Sequence, residues 1–75
     1  MLKTIAPLIT INPGVRFGRP TIKGTRVAVE TILAEIAAGM APTDVAREYR
    51  LTRRQVAAAL RYALQLIEEE RHVAI

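Results

Sequence analysis

The side chains best suited to holding a charged partner lie in one passage, Gly18-Arg19-Pro20-Thr21-Ile22-Lys23-Gly24-Thr25-Arg26-Val27. It packs three cations, two glycines, two threonines and a proline into ten residues, which no ordinary core pattern explains. Pro20 fixes its own φ and pushes Arg19 toward extended backbone, while Gly18 and Gly24 permit positive φ or close backbone approach. The alternation of Ile22, Gly24 and Arg26 against Lys23, Thr25 and Val27 suits a short extended ribbon. Such a ribbon is either a structural turn or a surface shaped for a partner. Arg19 and Arg26 flank it and can clamp a carboxylate or phosphate through two parallel hydrogen bonds, which lysine cannot match.

Catalysis has little to work with. The chain has no cysteine, so no thiolate nucleophile, disulfide or thiolate metal site is available. A single His72 builds neither a triad nor a metal centre by itself. No carboxylate pair stands in a pKa-shifting context, and Gly18 to Gly24 lacks the strand-to-helix phosphate fingerprint. The expectation is a protein that is not an enzyme and uses no metal or cofactor.

Charge placement says more than the net charge of +4. Lys3, Arg16, Arg19, Lys23 and Arg26 occupy residues 1–29 without one acid. Glu30, Glu35, Asp44 and Glu48 then outweigh Arg47 and Arg50 across residues 30–51. An acid-free basic third is either a solvated face or a surface for a polyanion or an acidic protein. The 75 residues suffice for one domain, 1–75, with a marginal core. Half the chain is hydrophobic, but much of that is alanine, so completion of the core by a homodimer or an obligate partner is expected. No apolar run approaches the roughly 18 residues of a membrane span. The N-terminus lacks a signal-peptide core, so a cytoplasmic location is expected.

Residues 1–27 should hold a short β element and the ribbon, and residues 28–75 three helices. Leu8-Ile9-Thr10-Ile11 reads as a strand closed by the Asn12-Pro13-Gly14 turn. Phe17 reads as a core plug. Val29, Ile32, Leu33, Ile36 and Met40 mark a first amphipathic helix from about Ala28, ended by Gly39. A second runs from Pro42 to Tyr49, with Val45, Ala46 and Tyr49 buried. Thr52 and Gln55 form a capping box for a third, reaching about Arg71. Its buried stripe is read as Val56, Leu60, Ala63/Leu64 and Ile67, with Arg54, Ala58, Arg61, Gln65 and Glu68 opposite.

The second and third helices have helix-turn-helix spacing over about 42–70, with Arg50 standing where the turn glycine usually sits. Arg53 and Arg54 occupy the first turn of the third helix, where the dipole disfavours cations. Thr52, Arg53, Arg54, Gln55 and Arg61 could meet phosphates and base edges. Ala57-Ala58-Ala59 offers little to bases, so binding would rest on backbone charge and dimerisation. A purely structural trihelix fits the same pattern.

The string GRP-x-I-x-GTR at residues 18–26, followed by an amphipathic helix and Gly39-Met40-x-Pro42, resembles the domain-of-unknown-function 433 family from about Ile9 to Leu66. The resemblance implies a mainly α, homeodomain-like trihelical helix-turn-helix fold with a short N-terminal β element, and no enzymatic activity. It also implies a VapB-like antitoxin of a type II toxin–antitoxin pair, binding a PIN-like nuclease toxin and its own promoter DNA. It directs attention to Arg19, Pro20, Ile22, Lys23, Gly24, Thr25 and Arg26 as partner-binding residues. Ala28 and Ala41 depart from the proline and serine common there, and Arg16-Phe17 precede Gly18 where small residues are common. An arginine from the ribbon, or the tail from Glu70 to Ile75, would enter the toxin's carboxylate cluster. A stand-alone dimeric transcription regulator without a toxin is the alternative.

Overall fold

The computed structural model describes residues 2–73. In chain order they form β1 (Lys3–Ala6), β2 (Ile9–Ile11), β3 (Thr21–Ile22), α1 (Val29–Ala37), α2 (Pro42–Glu48) and α3 (Arg53–Val73). The strands make one antiparallel sheet in the order β1-β2-β3. The fold is therefore mixed α/β and mostly helical.

β1 is an element that the sequence reading does not contain. Lys3-Thr4-Ile5-Ala6 alternates only weakly, and its pairing is imposed by the Pro7-Leu8 connection, which returns the chain so that Ala6 faces Ile9. Leu8 takes φ 64° there, a left-handed position that glycine or asparagine usually fills after a turn proline. β2 falls within the expected strand. β3 covers only Thr21 and Ile22, so the ribbon is not extended throughout.

One hydrophobic core joins sheet and helices. Ile9 and Ile22 from the sheet meet Ile32 of α1, Val45 of α2 and Ala59 of α3, all of them fully buried. Burying an aliphatic side chain of this size contributes about 1.5–3 kcal/mol.

The helix ends follow from their sequences. α1 stops where Gly39 takes φ 106°, and the amides of Gly39 and Met40 return to the carbonyls of Ile36 and Glu35 at 3.0 Å each. That six-to-one closure is a Schellman motif. α2 starts on Pro42, at a position where a missing N–H costs nothing. It ends in a second Schellman motif, with Leu51 N–H bonded to Ala46 C=O at 2.8 Å and Arg50 at φ 56° in the usual glycine position. Leu51 turns inward as the buried anchor of that motif. α3 then opens on the expected capping box: Gln55 N–H donates to Thr52 Oγ1 at 3.1 Å, and Thr52 N–H donates to Gln55 Oε1 at 2.7 Å.

Two expectations about the core need correction. Phe17 is no plug: it is 98% exposed. The buried stripe of α3 is also displaced. Val56, Ala58 and Ala59 are buried, whereas Leu64 and Ile67 are each more than half exposed. Ala58, expected on the polar side, lines a small cavity with Ala6 and Pro7 of the β1–β2 hairpin. The hairpin invisible to periodicity covers Ala58, and Tyr62, Ala63 and Leu66 border a groove with α1, which leaves Leu64 and Ile67 on an uncovered side of α3.

Candidate partner-binding site

The GRP-x-I-x-GTR string splits into residues that build a turn and residues that the turn displays. Ile22 to Thr25 form a tight turn: Thr25 N–H bonds to Ile22 C=O at 3.0 Å, with Gly24 at φ 79°. That backbone angle is why glycine stands at the third position. Thr25 locks the turn from both sides, since its hydroxyl donates to Ile22 C=O at 2.8 Å and accepts from Val27 N–H at 3.0 Å. Ile22 N–H closes onto Val27 C=O and Lys23 N–H onto Leu8 C=O, which ties the turn to the β1–β2 hairpin. Pro20 C=O accepts from Val29 N–H at 3.0 Å and satisfies one free amide of the α1 N-terminus.

These bonds redistribute the expected partner-binding residues. Ile22 is a core residue with no exposed surface, so it is corrected from contact to scaffold. Pro20, Gly24 and Thr25 shape the backbone. Arg19, Lys23 and Arg26 are exposed. Arg19 is held by Glu30 of α1 at 2.5 Å, with both side chains over half exposed, so its charge is locally answered. Pairs so open to solvent contribute at most about 1 kcal/mol.

Sequence reasoning marked Arg16-Phe17 as a departure from the family that could alter partner specificity, and missed the turn that they build just upstream. Arg16, Phe17 and Gly18 take φ 52°, 55° and 78°, three consecutive left-handed residues. Only Gly18 adopts such a conformation freely. The turn is closed by Gly18 N–H to Val15 C=O and Arg19 N–H to Arg16 C=O, and it lifts the Phe17 ring clear of the body. Arg16 Nε donates to Arg26 C=O at 3.1 Å, which fixes that guanidinium beside the GTR turn. Pro13, Gly14, Arg16, Phe17 and Arg26 line one shallow groove. The available signal was the confinement of Phe17 between Asn12-Pro13-Gly14 and Gly18, a stretch too short for Val15 and Phe17 to extend into a strand.

The expected DNA-contacting residues are divided in the same way. The Thr52 hydroxyl and the Gln55 amide are engaged in the capping box. Arg53, Arg54 and Arg61 are exposed along α3, and Arg53 and Arg54 border a groove with Pro42 and Thr43 of α2. Beyond Glu70, the side chains of the tail lie outside the described structure.

A small acidic cluster joins the first two helices. Tyr49 hydroxyl reaches Glu35 Oε2 at 3.4 Å. Glu48 is held above its ordinary carboxyl value, first by hydrogen bonding with Glu35, then by desolvation and by the Glu35 charge. Burial, then the Glu35 and Glu48 charges, push the Tyr49 phenol upward. Among the described residues no group of three His, Cys, Asp or Glu side chains is arranged to hold a metal.

The turn, its flanking strand, α1, α2 and the first half of α3 fall in a span, residues 9–63, that matches the family model described as protein of unknown function (DUF433). The chain belongs to the DUF433 family. Among solved structures it is similar to Rv2018 from Mycobacterium tuberculosis, at 31% identity and a TM-score of 0.63. That similarity covers 69% of this chain and 24% of the other, so the DUF433 chain spans about a quarter of that neighbour's length. No curated protein matches the sequence. β1 and the last turns of α3 lie outside the family match.

Proposed function

We propose that this DUF433 chain is the antitoxin of a type II pair, binding and silencing a PIN-like nuclease with the Phe17 turn. One observation carries the reading: a fully exposed aromatic ring, held on left-handed backbone between Arg16 and Arg26. Strained backbone persists where the surroundings enforce it, and it concentrates at functional sites. Aromatic residues and arginines also dominate the energetics of protein interfaces.

The mechanism is electrostatic. A PIN-like nuclease gathers carboxylates around a divalent metal, and residues 1–29 approach them with five cations and no acid. Phe17 supplies the apolar anchor, while Arg16 or Arg26 pairs with the carboxylates and displaces or blocks the metal. Arg19 contributes less, because Glu30 already holds it. In this proposal the three helices form a homeodomain-like domain, the protein acts in the cytoplasm, and Arg53, Arg54 and Arg61 bind promoter phosphates. A stand-alone dimeric regulator remains the second reading, favoured by the exposed arginines at the start of α3.

The test is co-purification with the nuclease encoded by the neighbouring reading frame, followed by ribonuclease and promoter-shift assays. Phe17→Ala and Arg26→Ala should release nuclease activity that wild type suppresses. Unchanged suppression by both variants would sink the wedge mechanism. Promoter binding that needs no nuclease and is lost in Arg54→Ala would favour the regulator.

A further inference from the structure

The groove beside Phe17 carries more cationic capacity than its surroundings use. Arg16 commits its Nε–H to the Arg26 carbonyl at 3.1 Å, which fixes the plane of the guanidinium. Its other N–H donors, and the whole Arg26 guanidinium, have no hydrogen-bond or ion-pair partner among the described residues. The described ion pairs lie elsewhere, at Arg19–Glu30 and Arg47–Asp44, and no acid lines the groove. In the same groove the Phe17 ring stands almost wholly exposed. Arg16, Phe17 and Gly18 are all left-handed, so the turn holds the ring off the body at a backbone cost, and such strain concentrates at functional sites. An aromatic face and flanking cations in one open groove are the components with which proteins hold single-stranded nucleic acid.

We propose that this groove binds one nucleotide of a single-stranded nucleic acid, its base stacked on Phe17 and its flanking phosphates on Arg16 and Arg26. The side chains select that ligand over simpler ones. A free phosphate engages the arginines and leaves the ring unused. A duplex also engages them, but its bases stack on one another and offer Phe17 no face. An unpaired base presents its π-face, and its own backbone brings a phosphate to each side. Charge completes the match. Lys23 is exposed in the turn that precedes Arg26, and residues 1–29 hold five cations and no acid, so this part of the chain puts no repelling side chain in the path of the strand. The contact is distinct from the duplex contact proposed for Arg53, Arg54 and Arg61 on α3. It goes beyond the nuclease contact and does not rest on it; where both hold, nuclease and strand compete for one turn.

Fluorescence anisotropy of the full chain, without nuclease, against a fluorescein-labelled oligoadenylate of about 12 nucleotides tests this. Wild type should bind, with affinity falling as salt rises. Phe17→Ala should weaken binding about tenfold at every salt concentration, as expected for one lost base stack, and Phe17→Tyr should retain it. Arg16→Ala and Arg26→Ala should each weaken binding and flatten the logarithmic salt dependence by about 0.7, the share of one phosphate contact. A strand of the same length without bases, and a duplex of the same length, should bind wild type and Phe17→Ala alike. No binding up to about 1 mM, weaker than ordinary non-specific contact, overturns nucleotide binding, and so does binding to which Phe17→Ala is indifferent. If the nuclease is suppressed through Phe17 while the strand is not bound, the groove takes protein only, and the antitoxin role stands without nucleotide binding. If strand binding depends on Phe17 while Phe17→Ala still suppresses the nuclease, nucleotide binding stands and the wedge mechanism falls.

Discussion

Replacing Phe17 with glycine should separate what the exposed turn costs the fold from what it gives to binding. Phe17 sits at φ 55° with its ring 98% exposed, so the native state gains almost no burial from it. A side chain bearing a Cβ in that region costs about 1–2 kcal/mol. Glycine relieves that cost but loses about 0.5–1 kcal/mol through the freedom of its unfolded chain. The net expectation is a gain of about 0.5–1 kcal/mol. For a domain of this size that raises Tm by about 2–8 °C. Phe17→Ala is the control: it removes the same ring, keeps the Cβ, and should stay within about 0.5 kcal/mol of wild type. Urea melts of the three proteins read the difference directly. In binding to the nuclease both variants should lose together, by at least about thirtyfold, as expected for an interface anchor worth 2 kcal/mol or more. A glycine variant less stable than the alanine variant would refute the strain, because the ring or its backbone would then be supported by contacts. Undiminished nuclease binding would refute the role of Phe17 as anchor.

Arg50→Gly should stabilise by the same reasoning, about 0.5–1 kcal/mol in urea melts, since Arg50 occupies the left-handed glycine position of a complete Schellman motif. Thr52→Ala removes one half of the α3 capping box and should cost about 0.5–2 kcal/mol, read as a lowered urea midpoint. Gly24→Ala meets open space, so its cost is conformational alone, about 1–2 kcal/mol by thermal melting. Glu48 is pushed above its usual 4.5 in the folded protein, so its stabilising contribution is complete below that value and is lost as pH rises through the folded pKa. Glu48→Gln should therefore gain stability relative to wild type between pH 4 and pH 7; equal urea midpoints at both pH values would show that Glu35 and Glu48 do not interact.

The sequence alone determined what depends on local chemistry. Gly39 and Pro42 bound α1 and α2 because their backbone limits are intrinsic. The Thr52–Gln55 box starts α3 because both bonding partners lie within one turn, and Arg50 is legible as strained because a left-handed residue must follow α2. The acid-free basic third, likewise, is a property of composition. Tertiary structure decided the rest. β1 exists because β2 offers it an edge, and the covering hairpin then converts Ala58 from polar-side residue to core. Leu64 and Ile67 carry the same apolar signal as Val56, but α1 meets the side of the helix that holds Ala63 and Leu66, so periodicity merged a covered side with an exposed one. Within the GRP-x-I-x-GTR string, residue types could not say which side chains are consumed by the turn. Hydrogen bonds to Thr25 and burial of Ile22 make most of it scaffold. What the passage displays to solvent moves upstream to Phe17, because an aromatic ring on left-handed backbone points wherever the closed turn aims it.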